Sequence, residues 1–205
     1  MVTSIDVESM ADQRGAEELA FRFRGGRLCL NFTATVGERW RRAFERLRLP
    51  ADLSRWFSEA GTTTTAVPVS WRTLRAAREL REAIFRLMTA QVDGRPSAAG
   101  DVALVNTWAS KAPPAPQLQR ERGRWISSTV GVTATQLLAL IARDAVDLLA
   151  GPDAGRLSRC ASKQCGLLFL DTSRTRSRRW CSMNDCGARD KMARYRAGRK
   201  EDHQA

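Results

Sequence analysis

Four of the five cysteines lie within residues 160–187, in an arginine-rich segment that reads CASKQCGLLFLDTSRTRSRRWCSMNDCG. They form two close pairs, Cys160 with Cys165 and Cys181 with Cys186, separated by fifteen residues. These cysteines belong to a basic C-terminal tail of about fifty residues, from Gly155 onward. A tail of this size cannot bury enough apolar surface to fold without a cross-link. Either two disulfides or one bound metal ion would supply that cross-link.

The expected compartment favours the metal. The N-terminal residues are polar and acidic and lack the apolar stretch of a signal peptide. No stretch of about eighteen apolar residues, the length that spans a membrane, occurs. We therefore expect a cytoplasmic protein without membrane partners, and in a reducing cytosol clustered cysteines are more often metal ligands than disulfides.

The spacing of the four cysteines is typical of one structural zinc ion per chain, held by two chelating turns brought face to face. The four-residue gap within each pair is wider than the common two. Redox-active thiols or another metal remain alternatives. Four thiolates fill every position of a tetrahedral zinc ion, which argues against zinc catalysis.

The pattern of elements predicts the α+β class, with a mainly helical front domain that carries a small antiparallel sheet. We expect frayed ends at 1–18 and 201–205, a regulatory or oligomerising domain over 19–152, and a zinc finger over 153–200. The sequence AGPDAG marks the boundary between the two domains.

Local patterns predict individual elements. FRFRGGRLCLNF alternates about Gly25-Gly26 and predicts a hairpin, with Cys29 as a buried thiol. A second hairpin is predicted to turn at Arg122-Gly123. We expect helices over 38–47, over 98–110 and over 133–149. A short helix is predicted after the N-cap Asp52, closed by Gly61, and a long one after the cap Ser70, with Trp71 on its apolar stripe.

The net charge of +12 suits a polyanionic partner, although a GC-rich genome also inflates arginine. Residues 151–205 carry 13 basic and 6 acidic side chains, so the excess is concentrated in the finger. A solvated helix is the plain alternative, and Trp180 is expected in the finger's core rather than stacked on a base. The candidate nucleic-acid contacts are Arg174, Arg176, Arg178, Arg179, Arg189, Lys191, Arg194, Arg196, Arg199 and Lys200.

The segment LFLDTSRTRSRRWCSMNDCGARDK resembles the CGNR-type zinc finger, whose Cys-Gly-Asn-Arg stretch aligns with Cys186, Gly187, Ala188 and Arg189. Upstream, GGRLCLNFTAT and LREAIFRLM are similar to the first strand and the long helix of the ABATE domain. The resemblance implies a treble-clef finger in a stress-related transcription regulator of bacteria.

Two departures from the family pattern bear on function. Ala188 stands where the family has asparagine, so the amide's role is absent here. The family's Leu-Asp-Phe-Val-Asn-Thr becomes residues 30–35, LNFTAT, in this chain. The candidate contacts for an unknown small-molecule effector in this strand are Asn31, Thr33 and Thr35.

These observations favour a DNA-binding regulator, with an RNA-binding finger or a protein-interaction finger as alternatives, and a homodimer as a candidate assembly. An enzyme is the poorest fit: the sequence has no glycine-rich phosphate loop, and its single histidine, His203, lies near the terminus and is not expected to bind zinc. Glu79 and Glu82 are interpreted as surface ion-pair partners on a helix.

Overall fold

The computed structural model describes residues 18–128 and 131–201, and of residues 128 and 197–201 only the backbone. Almost all of the two predicted frayed ends, and His203, lie outside these residues. The described helices are α1 (Leu28–Thr33), α2 (Pro50–Glu59), α3 (Trp71–Val92), α4 (Ala99–Ala109), α5 (Ala134–Ala150) and α6 (Ala188–Glu201).

The strands form three antiparallel pairs, each of two strands, within the described part of the chain. A 3₁₀ turn (Ala154–Arg156) precedes the third pair, and a single turn of π-helix (Met183–Gly187) precedes α6. The pairs are β1 (Val36–Gly37) with β2 (Phe44–Glu45), β3 (Gln117–Glu121) with β4 (Arg124–Ser128), and β5 (Leu157–Arg159) with β6 (Leu168–Leu170). Abundant helix with small antiparallel sheets confirms the α+β prediction.

Helix caps explain where α3 and α5 begin. The Ser70 hydroxyl accepts a hydrogen bond from the Thr73 N–H, as its predicted cap role requires. Before α5, Thr133 and Gln136 form a capping box. The N-cap predicted at Asp52 was three residues late, since Leu49 is the cap and Pro50 opens α2. The Asp52 carboxylate accepts hydrogen bonds from the backbone N–H groups of Arg48 and Leu49.

One hydrophobic core joins the front helices to the first hairpin of the finger. Fully buried side chains from α1, α2 and α3 meet at its centre, where the rings of Phe32 and Trp56 lie 5.0 Å apart. The finger contributes Leu157, Leu168 and Leu170 to the same buried cluster. The finger therefore packs against the front domain through a common core and is not a separate unit joined to it only by a linker.

Two ion pairs and a backbone bond fasten the finger at its edges. Arg24 pairs with Asp185 at 2.7 Å, and Arg159 pairs with Asp93 at 2.9 Å. The Leu170 N–H donates to the Gly25 carbonyl at 2.8 Å. These contacts set the orientation of the metal centre on the front domain.

The predicted hairpin around Gly25-Gly26 was wrong. Residues 28–33 form α1, because the N-terminal Cys29 N–H binds the Asp144 carboxylate of α5 at 2.8 Å. Arg27 pairs with the same carboxylate. Cys29 itself is fully buried, as expected, and burial followed by the Asp144 charge raises the pKa of its thiol well above the ordinary value.

The predicted helix over 38–47 was also wrong, since residues 38–43 are the turn between β1 and β2 and Phe44–Glu45 form β2. Glu38 and Ala43 have φ values of 43° and 47°, which no right-handed helix accepts. The backbone N–H groups of residues 41–43 all donate to the Glu38 carbonyl and so close the turn.

The hairpin of β3 and β4 turns at Arg122 and Gly123, both at positive φ, as predicted. Every residue of β3 is exposed. Trp71, placed on the apolar stripe of α3 by the sequence, is instead 61% exposed at the start of the helix, where that stripe has not yet reached the core. In the described residues no helix has both the length and the apolarity needed to traverse a membrane.

Candidate metal centre and nucleic-acid interface

The fold brings the four predicted ligands together from two turns. Cys160 and Cys165 flank the turn that joins β5 to β6, and the Cys160 N–H donates to the Leu167 carbonyl at 2.8 Å. Cys181 follows the basic loop 171–180, and Cys186 lies in the π-helical turn directly before α6. The N-terminus of α6 is thus fixed next to the last ligand.

The geometry of the sulfur atoms fits zinc. All four Sγ atoms lie within 4.8 Å of one another. The Cys165–Cys181 and Cys181–Cys186 sulfur distances are 3.6 and 3.8 Å. A tetrahedron with zinc–sulfur bonds of about 2.3 Å has sulfur–sulfur edges of about 3.8 Å. All five cysteines are unpaired, so the choice between disulfides and metal falls to the metal.

The pKa values of the four thiols depend on one another, because hydrogen bonds link the thiols within one cluster. Hydrogen bonds from Cys165 and Cys181 lower the pKa of Cys160 to about 6. The other three thiols, and then Arg189, lower the pKa of Cys186, while bonding to Cys160 raises that of Cys165 and Cys181. Arg189 Nη2 lies 3.5 Å from Cys186 Sγ and so places a positive charge beside the thiolates.

Arg178 supports the segment that leads into Cys181. Its guanidinium donates to the carbonyls of Trp180 and Cys181 and lies 5.0 Å above the buried ring of Phe169. The backbone N–H of Arg178 donates to the Asp171 carboxylate at 2.9 Å. Trp180 packs against the same cysteine cluster, as the core interpretation expected. The contacts of Arg178 therefore suit a structural task in the finger.

The other basic candidates divide by position. Arg174, Arg176 and Arg179 are exposed on the loop between β6 and Cys181, and Lys191, Arg194 and Arg196 are exposed on α6. Arg194 pairs with Asp190 at 2.5 Å. The side chains of Arg199 and Lys200 lie outside the described residues. A nucleic-acid role for the ten candidates stays a prediction.

The three candidate effector contacts are occupied by hydrogen bonds within the protein. Asn31 Oδ1 accepts from the Gly25 N–H at 2.8 Å, which fastens the turn before α1. The hydroxyls of Thr33 and Thr35 donate to carbonyls three residues earlier. These bonds explain the three side chains without a ligand, and their effector role stays a prediction.

Sequence reasoning missed a buried ion network behind β1 and β2. The Arg81 side chain is 4% exposed and donates to both Glu45 oxygens at 2.7 Å and to Glu82 at 2.8 Å. Glu82 also binds Arg39 at 2.7 Å, so it is a half-buried bridge and not the surface partner expected. Glu79 is exposed, but it forms no ion pair among the described residues, so its predicted pairing stays a prediction. Only the adjacency of arginine and glutamate on α3 hinted at the network.

Comparison with known families gives two matches. The ABATE family, described as "Putative stress-induced transcription regulator", matches residues 26–152. The CGNR zinc finger matches residues 156–199. A comparison with curated proteins finds no match. The two matches confirm the suspected architecture, and the finger match agrees with the geometry of the four cysteines. The chain belongs to the ABATE family and carries a CGNR zinc finger after its ABATE domain.

Proposed function

We propose that the protein is a bacterial transcription regulator of the cytoplasm and nucleoid, in which the zinc finger binds DNA. The observation that carries this proposal is a set of finger cations that are exposed and have no ion-pair partner among the described residues. They are Arg174, Arg176, Arg179, Lys191 and Arg196.

The arginines of the front domain differ from this set of finger cations in their ion pairing. Many of its arginines are already paired with carboxylates, for example Arg27, Arg39 and Arg81. Paired guanidinium groups have little left to offer a polyanion, whereas unpaired ones can replace the counterions of a phosphate backbone. Exposed cations without a carboxylate partner among the described residues also occur on the front domain, for example Arg72, Arg75 and Arg124, but there they are spread over a much longer stretch of the chain than on the finger.

Zinc has a structural part in this function. When bound by the four thiolates it cross-links the β5–β6 turn to the start of α6. The residues of the chain do the rest: Arg178 holds the segment before Cys181, and Arg189 offsets thiolate charge. In this proposal the exposed cations of the loop and of α6 together make up the cationic face that contacts the phosphate backbone. We infer no enzymatic activity, since zinc ligated by four thiolates keeps no open position.

RNA is the closest alternative, because phosphate contacts do not distinguish it from DNA. A finger that binds only protein is the alternative of another class. The front domain we assign to regulation or dimerisation, and the treble-clef form of the finger remains part of the proposal.

Capture of bound DNA and of bound RNA from cells that express the intact chain tests the proposal. We expect enriched promoter fragments, and a Cys160→Ala chain as the control should retain none. Enriched RNA would favour the alternative, and retention of neither would leave the cationic face without a nucleic-acid partner.

Salt titration of the purified protein on captured DNA gives a second readout. Arg176→Ala and Arg196→Ala should each flatten the dependence of log affinity on log salt by about one unit, because each removes a phosphate contact. Arg72→Ala is the matched control: Arg72 is exposed on α3 of the front domain and should leave the slope unchanged.

A further inference from the structure

A cavity of about 220 Å³ lies between the front domain and the zinc centre. Its walls come from residues 18–24, the β1–β2 turn, Thr33 and the metal-binding turn between β5 and β6. The zinc ligands Cys165, Cys181 and Cys186 also line it, together with Arg189. Six arginines line it against two carboxylates, Glu18 and Glu38. The lining arginines are Arg22, Arg24, Arg39, Arg42, Arg46 and Arg189.

Three of these arginines have carboxylate partners. Arg24 pairs with Asp185, Arg39 with Glu82, and Arg42 with both Glu18 and Glu38, at 2.7 to 2.9 Å. Both lining carboxylates are therefore taken up by Arg42. The positive charges of Arg22, Arg46 and Arg189 remain without a carboxylate among the described residues.

Among these three arginines, Arg46 has the least expected position, because it is a buried cation without a carboxylate partner among the described residues. Only 4% of the residue is exposed, yet within the described part of the chain its guanidinium donates only to the carbonyl oxygens of Glu18 and Ala34, at 2.9 and 3.0 Å. Burial, and then the nearby charge of Arg22, lower the pKa of Arg46 to about 10. A buried cation next to a second cation is costly unless an anion joins them.

The zinc thiolates are the obvious candidate for that anion, since a zinc ion with four thiolates carries two negative charges. The arginine in hydrogen-bond contact with them is Arg189, at 3.5 Å from Cys186 Sγ. Neither Arg22 nor Arg46 donates to a sulfur among the described residues. The thiolates thus account for Arg189. The charge of Cys165 also acts on Arg46, but no hydrogen bond joins them, so Arg22 and Arg46 have no anionic hydrogen-bond acceptor among the described residues.

Apolar side chains complete the cavity. Phe44 and Phe85 line it, together with the aliphatic side chains of Val36 and Leu167. Arg39 stacks on Phe85 at 3.9 Å, which fixes that ring in place. The guanidinium groups of Arg42 and Arg46 lie over the Phe44 ring at 5.2 and 4.6 Å, so cationic donors and aromatic rings are neighbours in this cavity. Such a lining selects a ligand with an acidic group and an apolar body.

We propose that this cavity binds a small organic anion, with its carboxylate or phosphoryl group on Arg22 and Arg46 and its apolar part against Phe44 and Phe85. The ligand would touch the front domain and the metal-binding turn at once. Its use as a signal for the finger rests on the proposed regulatory function, whereas its binding does not.

The test uses the full-length, zinc-loaded protein and three probes that share a phenyl ring. Benzoate and phenyl phosphate carry the two candidate acidic groups, and benzamide is neutral. Calorimetric titration should show binding of at least one anion and none of benzamide. The better of the two anions tells a carboxylate ligand from a phosphoryl ligand.

Arg22→Ala locates the site. It should raise the Kd for the bound anion at least tenfold, because a charge-assisted hydrogen bond is lost. Arg72→Ala, an exposed arginine outside the cavity, should leave the Kd unchanged. Zinc content is measured for each variant, and we expect it to stay at one per chain.

The proposal is overturned if neither anion binds in the millimolar range, if benzamide binds equally well, or if Arg22→Ala binds the anion like the parent protein. Loss of zinc from Arg22→Ala would also overturn it, since Arg22 would then serve the thiolates. Failure to capture DNA leaves all of these readouts intact, so the two proposals fail separately.

Discussion

At the scale of single residues, two neighbouring arginines of the finger have different surroundings. Arg178 donates to two backbone carbonyls beside the metal centre, whereas Arg179 is exposed and lies 5.0 Å from the Trp180 ring. We expect Arg178→Ala to weaken zinc retention, because it leaves the carbonyls of Trp180 and Cys181 unpaired at about 1–3 kcal/mol each if they stay dry. Competition with a chelator measures this effect.

Arg179→Ala is the matched variant, one residue away. It should retain zinc like the parent chain and flatten the salt dependence of DNA binding by about one unit. The opposite result would be an Arg178→Ala chain that keeps its zinc and shows a flatter dependence of DNA affinity on salt. Arg178 would then contact phosphate, and zinc binding would not depend on its hydrogen bonds to the two carbonyls.

Gly166 offers a second test at this scale. Its φ is +64°, and a Cβ placed there would overlap Nε1 of Trp40, the indole that covers the metal-binding turn. Gly166→Ala should therefore lower the stability of the finger by about 1–3 kcal/mol, from backbone strain and from the clash. Urea unfolding of the zinc-loaded protein measures the change.

Trp40→Ala removes the clash but not the strain. The double variant should therefore recover only part of the stability that Gly166→Ala loses. Full recovery would mean that the left-handed backbone at residue 166 costs nothing, and no recovery would mean that the indole does not restrict this position.

At the scale of elements, the turn between β1 and β2 holds an exposed alanine in an unfavourable conformation. Ala43 has a φ of 47°. Ala43→Gly should raise the free energy of unfolding by up to about 1 kcal/mol, because glycine has no Cβ penalty there. Ala103→Gly, at an exposed position within α4, should instead lower it by about 1 kcal/mol. Thermal or urea unfolding compares the two; a loss of stability in both would show that the turn is unstrained.

The elements also show what the sequence could and could not predict. Helices α3 and α5 carry their own signals, a cap at Ser70 or Thr133 and an apolar stripe, and both were predicted. Helix α1 and the β1–β2 turn depend on partners far away in the chain. Asp144 binds the Cys29 N–H across 115 residues, and Glu82 binds Arg39 across 43. Local periodicity contains neither contact, so alternation suggested a hairpin in one case and a helix in the other.

The candidate site shows the same division. The spacing of the cysteines was enough to predict the four ligands, because chelation is a local property of each turn. The task of Arg178 was not predictable, since a basic residue in a basic loop gives no sign that its guanidinium folds back onto carbonyls. The burial of Arg46 was equally hidden, because the carbonyls that accept its hydrogen bonds, those of Ala34 and Glu18, lie 12 and 28 residues away in the chain.

At the scale of the whole molecule, metal removal should have a bounded effect. We expect a chelator to release the basic loop, the π-helical turn and α6, since thiolate–zinc bonds are their main fastening. The β5–β6 hairpin should keep its protection, because Leu157, Leu168 and Leu170 lie in the front core. Hydrogen exchange with mass spectrometry, with and without chelator, resolves these segments.

Cys160→Ala is the genetic counterpart and should reproduce the same pattern without chelator. Loss of protection throughout β5, β6 and α3 would show that zinc stabilises the entire chain as one cooperative unit. Unchanged protection in α6 would show that the helix does not depend on the metal centre.

The hydrophobic core that the front domain shares with the finger has consequences for protein engineering and for the evolution of this chain. A finger cut free at residue 153 would carry the three leucines Leu157, Leu168 and Leu170 uncovered, and a front domain ending there would lack the side chains that fill its core. Grafting the finger onto an unrelated protein should therefore yield an insoluble chimera unless the host supplies a matching apolar surface. In evolution, the front domain and the finger should therefore be inherited together. A lineage that replaced one of them would also have to change the apolar surface of the other.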